Sequence, residues 1–355
     1  MTQHPQQPQT ALPMPSTPMP TVELPVTESS YHQFWRTPLW RWWRPLAVLV
    51  VGALAFFLLS MVFGAIAIGI DVSTGRRTME EVRQMSNENL KMTPALFLIN
   101  NLSLALFIPI GMLLGRWFFK QRPGWLSSIT GRIRWVWLGR CFAVLLPLWL
   151  LYIGLETWLM SRSPQGLGLA VNSDTWLLLF GILLTTPFQA AGEEYGFRGA
   201  INRALASFFT HRWIGFVVGA VVSSTLFMFS HFAQDIWLNI FYFCFGMIAC
   251  GMTLRTGGLE AAIAMHIVNN VLSEATMPFS DISDMFDRSA GAAGPSALIG
   301  VAVPLIGWAL VEWQARRHKV VAATAPGLER QRQLDQQLAT WQQQMIAWQR
   351  AQRGF

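Results

Sequence analysis

Charge is what this chain has least of. Asp, Glu, Lys and Arg make up 13% of its 355 residues, where about a quarter is usual in a soluble domain. With 52% hydrophobic residues and a mean hydropathy of +0.36, an ordinary water-soluble protein is excluded. Cysteine is also scarce. Cys141, Cys244 and Cys250 all lie in apolar stretches without the spacing of metal or redox pairs, so they read as packing residues. Acidic residues number 19 against 26 basic ones, for a net charge of +7. The Lys and Arg residues sit in short clusters beside apolar segments, the pattern of topology determinants facing anionic lipid, and no nucleic-acid partner is expected. The first forty positions lack the basic, apolar and small-residue order of a signal peptide. They carry Pro5, Pro8, Pro13, Pro15, Pro18, Pro20 and Pro25 instead.

What is present is a series of long uncharged runs. A hydrocarbon core needs about 20 helical residues, and eight segments qualify or come close: 45–70, 92–115, 135–159, 175–192, 213–234, 236–254, 259–273 and 291–311. The seventh is the shortest. The expected fold class is all-α, a polytopic membrane helical bundle of about eight transmembrane helices. Residues 1–44 read as a disordered Pro-rich arm followed by an interfacial segment with Trp35, Arg36, Trp40, Arg41, Trp42, Trp43 and Arg44. Residues 45–312 form the transmembrane domain. Residues 313–355 form a basic, Gln-rich amphipathic tail, in which Leu334, Leu338, Trp341, Met345 and Trp348 repeat at steps of four and three. That seam suits an interfacial helix on membrane lipid or self-association with a partner helix through 334–348, and both readings stand. The most basic loop holds Arg116, Lys120, Arg122, Arg132, Arg134 and Arg140. The positive-inside rule makes it cytoplasmic, and with eight spans both termini are cytoplasmic, in what is expected to be a bacterial plasma membrane. The loop with Asp281, Asp284 and Asp287 suits the outer side.

Ionisable groups inside apolar runs are a functional hypothesis by default. Three short patterns hold nearly all the strongly polar residues of the second half. The first is Glu193-Glu194-Tyr195-Gly196-Phe197-Arg198, where Glu194 and Arg198 share a helix face in the favourable acid-before-base order and Glu193 is left for chemistry. The second is Phe227-x-x-x-His231, and the third is His266-x-x-x-Asn270 with Asn269 beside it. Taken singly, each has a plain structural reading: a helix-end ion pair, a hydrogen-bonded histidine, polar glue between helices. Taken together they supply what peptide hydrolysis needs, a base for water and donors for the developing oxyanion. A Glu and two His could equally ligate zinc and leave a position for water. The residues themselves do not choose between the two. For the first site to reach His231, either the fourth helix continues past Arg198 toward Phe209 or the fifth span begins deeper or tilts; residues 200–209 are apolar enough for the first, so a helix well beyond Gly199 is expected, with Arg198 and Arg203 facing protein or cavity water.

The trio resembles the CPBP family of intramembrane proteases, which includes the type II CAAX prenyl proteases and bacterial bacteriocin-processing and immunity proteins. The resemblance rests on Glu193 to Gly199, Phe227-Met228-Phe229-Ser230-His231 and His266-Ile267-Val268-Asn269-Asn270, and it covers about residues 175–275. It implies a conical cavity opening to the cytosol and cleavage of a peptide bond near the cytosolic membrane face, in a peptide or membrane-protein substrate. It also implies that Glu193 activates water, that His231 helps hold it, and that His266 and Asn270 stabilise the oxyanion, with Glu194, Arg198 and Phe227 in support. The family has been described both as metalloproteases and as using a glutamate-activated water without metal, so zinc on Glu193, His231 and His266 stays an alternative. A non-catalytic scaffold or immunity protein binding a partner in the same cavity is the rival reading. A transporter fits less well, since the halves of the chain show no symmetry.

Overall fold

A computed structural model describes residues 21–85, 91–163, 168–283 and 288–352, the side chains of the last two residues excepted. The Pro-rich stretch 1–20, and Asp284 and Asp287 of the expected acidic loop, lie outside these residues. The fold is a helical bundle. Its principal helices are α1 (Trp43–Ser73), α2 (Pro94–Phe119), α3 (Trp135–Ser161), α4 (Thr175–Ala206), α5 (Arg212–Phe229), α6 (Ile236–Thr256), α7 (Glu260–Ser273), α8 (Ala297–Arg317) and α9 (Leu328–Gln352). Seven of them, all but α7 and α9, are long and apolar enough to cross a membrane. Their outward residues, among them Leu54, Phe57, Leu58 and Met61 of α1, are exposed apolar side chains, as a lipid-facing surface requires.

The count of crossings follows from the ends. Ser29–Ser30, ahead of α1, pairs antiparallel with Ala323–Thr324, which follows α8. Two segments joined by a ladder lie on one side, so an even number of crossings must separate them. With seven long spans the eighth is α7: Leu259 just before it bonds to Ser127 O at the end bearing the termini, and Pro278 in the turn after it accepts from Thr175 at the far end. At about 1.5 Å per residue its 14 residues reach only about 21 Å. The short 3₁₀ turn Met277–Phe279 follows it.

Local chemistry explains the irregularities. α2 is broken at Leu106, because Pro109 has no N–H to give the carbonyl of Ala105. Gly192 of α4 packs against that break, where a Cβ would stand 2.1 Å from the Leu104 carbonyl oxygen. Residues Tyr195–Ile201 of α4 form a π-helical stretch, a form that is frequent at functional sites. The Ser223 hydroxyl of α5 donates to the Phe197 carbonyl within it (2.8 Å). Gly215 and Gly219 let α5 come close to the end of α4, at the carbonyls of Ala206 and Asn202. As expected, α4 continues well past Gly199, and Arg198 and Arg203 are both buried.

The segment 22–44 differs from a disordered arm and headgroup-level belt. Tyr31, Phe34 and Trp35 are fully buried, and of the segment's aromatic residues only Trp42 and Trp43 are exposed. The cause is Arg203, whose guanidinium lies 3.6 Å from the Tyr31 ring centroid and 5.4 Å from that of Phe34, while donating to the Trp125 carbonyl (2.8 Å). Gln33, Arg36 and His32 bond the carbonyls of Thr210, Ser207 and Arg212 in the α4–α5 connection. The segment is a clasp across the end of α4. In α9, Leu334 is buried, while Leu338, Trp341, Met345 and Trp348 are half-buried. Cys141 and Cys250 are buried free thiols and Cys244 is half-buried.

Candidate active site

Four of the helices converge on one polar centre. α4 carries Gln189, Glu193, Glu194 and Arg198. α5 brings Phe227 and, just beyond its last turn, His231. α6 brings Tyr242 and Phe245, and α7 brings His266 and Asn270. His266 is the hub. Its Nδ1 lies 2.8 Å from Glu194 Oε1 and its Nε2 lies 3.5 Å from Glu193 Oε2. A carboxylate only accepts, so Nδ1 carries the hydrogen given to Glu194. Glu194 Oε1 also accepts from Arg198 Nη1 (3.0 Å), and all three groups are almost entirely buried. The Arg198 guanidinium sits over the Phe227 ring at 4.3 Å, its Nε and Nη2 having no hydrogen-bond partner.

Glu193 stands apart from this pair. Its Oε1 accepts from Gln189 Nε2 (2.7 Å), and its buried Oε2 has no hydrogen-bond partner. Gln189 in turn accepts from Asn270 Nδ2 (3.1 Å), Asn270 Oδ1 accepts from Asn269 Nδ2 (3.1 Å), and Asn269 Oδ1 accepts from Trp149 Nε1 of α3 (3.2 Å). The two helices are therefore joined by rungs: Glu194 to His266, Gln189 to Asn270 and, one turn further, Thr186 to Glu274 (2.7 Å).

His231 is stacked on Tyr242 with ring centroids 3.8 Å apart, and its centroid is 4.6 Å from that of Phe227. Its Nδ1 is 2.7 Å from the Phe227 carbonyl and therefore holds the hydrogen, which leaves Nε2 as an acceptor. Phe227 touches Phe197, His231, Phe245 and His266, so one ring spaces both imidazoles and the guanidinium. Exposure rises from Glu194 and Arg198 toward Asn270 and His231, both half-buried, which lie toward the end of the bundle away from the paired termini. A separate cleft of about 400 Å³ at that end, lined by Arg76, Asn172, Asp174 and Ser280 among others, contains none of these residues.

All seven residues singled out from the sequence are thus in one contact network. A zinc site is a different matter. Among the described residues no three His, Cys, Asp or Glu side chains are gathered to hold a metal ion. His266 is occupied between two carboxylates, and His231 spends one nitrogen on a carbonyl. The donor set does not fit zinc. Sequence reasoning missed Gln189, Thr186, Tyr242 and Glu274. Gln189 stands one turn before Glu193, and Glu274 continues the His266, Asn270 series at the same spacing of four, so helical periodicity could have found both.

Fold and site together define a polytopic helical membrane protein with a buried carboxylate and imidazole centre held between α4, α5 and α7. Residues 175–272, the part that bears this centre, match the family described as type II CAAX prenyl endopeptidase Rce1-like, in keeping with the resemblance that the three sequence motifs carry. The chain is also 26% identical over 156 residues to the uncharacterized protein YyaK of Bacillus subtilis (strain 168). That alignment covers 41% of this chain and 50% of the relative, so the chain spans about half the length of the curated relative it matches. No solved structure matches.

Proposed function

We propose that the chain is an intramembrane endopeptidase in which Glu193 activates water without a metal. The observation that carries this reading is the facing pair Glu193 Oε2 and His266 Nε2, buried and 3.5 Å apart. With the Nδ1 hydrogen committed to Glu194, both facing atoms are acceptors. Two lone pairs in a low-dielectric site are tolerated only with a proton or a water between them. The pair is therefore built to share or transfer a proton.

In the reaction Glu193 takes a proton from water, and the hydroxide oxygen bonds to the carbonyl carbon of the scissile peptide. His231 Nε2, the free acceptor at the rim, orients that water. The charge that develops on the carbonyl oxygen is met by Asn270 Nδ2 and, when the proton shared with Glu193 lies on it, by His266 Nε2, the ring being held by Glu194 through Nδ1. Glu193 then gives its proton to the leaving nitrogen as the carbon–nitrogen bond breaks, releasing an amine and a carboxylic acid, whose remaining proton passes to the amine in water. Arg198 and Phe227 act through Glu194 and the imidazoles and are positioning residues.

The substrate is a peptide or a membrane protein. The basic end that carries the paired termini is cytoplasmic in this reading, with the chain in a bacterial plasma membrane and in contact with lipid; the half-buried rim then faces away from the cytosol, and the cut lies nearer the opposite membrane face than the cytosol-facing cavity implied by the resemblance. The tail seam 334–348 packs on that lipid or on a second helix.

Glu193→Gln removes the base while keeping the bond from Gln189. The expected result is a loss of cleavage of about 10²-fold or more, with unchanged protein level and thermal stability. It is measured by comparing the peptide termini of membranes that carry wild type or variant. Termini that persist with the variant would leave only a scaffold role for the cavity.

A further inference from the structure

Glu274 belongs to none of the three patterns, yet it is the last rung of the ladder between α4 and α7. It follows His266 and Asn270 at intervals of four, on the same face of the chain as it leaves α7. It is 9% exposed, and its Oε2 accepts from the Thr186 hydroxyl at 2.7 Å. Thr186 is itself fully buried and receives Asn101 Nδ2 at 3.1 Å. An amide nitrogen can only donate, so this bond turns the Thr186 proton toward Glu274. Asn101, Thr186 and Glu274 form a one-way chain that ends on the carboxylate as an acceptor.

Other buried carboxylates are matched differently. Asp71 has Arg77, Glu194 has Arg198 and His266, Glu193 faces His266, and at the opposite end Glu260 has Arg134. Asp235 is capped by the backbone N–H groups of Trp237, Leu238 and Gly291. Among the described residues no Lys, Arg or His stands within ion-pair distance of Glu274. A largely buried carboxyl without a cation is costly to ionise, and here the protein has fixed its orientation without supplying one.

We propose that Glu274 is the specificity determinant of this site and receives a cationic side chain, Lys or Arg, of the peptide substrate. The inference rests on the endopeptidase reading and sets the register. Eight residues of helix separate Glu274 from His266, about 12 Å along the axis. An extended substrate advances about 3.3 Å per residue. The cationic residue therefore lies three or four positions from the bond that is cut.

The test is a comparison of new peptide termini in membranes carrying wild type, Glu193→Gln, Glu274→Gln, Glu274→Asp or Glu274→Arg, with the level and thermal unfolding of each variant measured alongside. Termini that depend on Glu193 are expected to carry Lys or Arg three or four residues from the cut. Glu274→Gln is expected to cut these about tenfold more slowly, as loss of a charge-assisted contact predicts. Glu274→Asp should keep the preference and Glu274→Arg should abolish or reverse it. If Glu193-dependent termini show no basic residue in that window, or if Glu274→Asp and Glu274→Arg cut the same set at the same rates, the inference is overturned while the protease reading stands. If no terminus depends on Glu193, both fall together.

Discussion

Arg198 illustrates how little freedom a single residue has at the centre of this bundle. It is 1% exposed, spans Glu194 and the face of Phe227, and lies within the π-helical stretch. Arg198→Ala leaves Glu194 with only the His266 Nδ1–H as a partner, and breaking a buried pair in this way costs about 3–5 kcal/mol. The expected outcome is a marked drop in thermal unfolding temperature in detergent. Arg198→Lys is expected to recover only part of it, since an ammonium cannot both pair with the carboxylate and lie flat on the ring. Full recovery by lysine would show that charge alone is what the position requires. The sequence made Glu194 and Arg198 partners through their spacing of four. It gave no sign that His266 would sit between the two glutamates, because that contact joins positions 72 residues apart.

At the scale of elements, α4 and the clasp act as one unit. The π stretch displaces the end of α4 relative to a regular helix, and Arg203 arrives under Tyr31 and Phe34 of the clasp. His32 is buried against the start of α5, its Nε2 donating to the Arg212 carbonyl at 3.0 Å while Nδ1 has no partner. Burial lowers its pKa from 6.5 to about 4, against a smaller upward pull from that hydrogen bond. A released clasp has the ordinary pKa and so binds the proton more readily between these values. The clasp's stability is therefore complete above about pH 6.5 and declines as pH falls toward 4. Hydrogen exchange of residues 22–40 is expected to quicken over that interval in the wild type. A His32→Gln variant should show a flat profile, and a wild-type profile equally flat would count against burial of a neutral imidazole. The spans themselves were readable from apolar run length. The clasp was not, because its Trp and Arg content is also that of a headgroup belt, and only the buried Arg203 distinguishes the two.

For the whole molecule, the paired segments Ser29–Ser30 and Ala323–Thr324 bind the two ends of the transmembrane region to one side. Ser30→Cys combined with Ala323→Cys, facing Cα partners in the ladder, is expected to give an intramolecular disulfide on mild oxidation. A membrane-impermeant thiol reagent should reach both single variants from the same side of a vesicle. Labelling from opposite sides would break the parity that makes α7 a crossing. Apolar run length and the placement of Arg and Lys determined the number of helices and their approximate bounds, because a hydrocarbon layer imposes length and charge rules that act locally along the chain. Three polar patterns likewise marked Glu193, His231, His266 and their neighbours, since polar groups are rare enough in apolar runs to stand out. Only the tertiary structure decided that His266 bridges both glutamates, that Gln189 and Glu274 join the site, that 22–40 is a clasp, and that the half-buried rim lies away from the termini. Each depends on which residues from distant parts of the chain meet, and helix packing fixes that through close contacts such as Gly192 on Leu104, which no local pattern encodes.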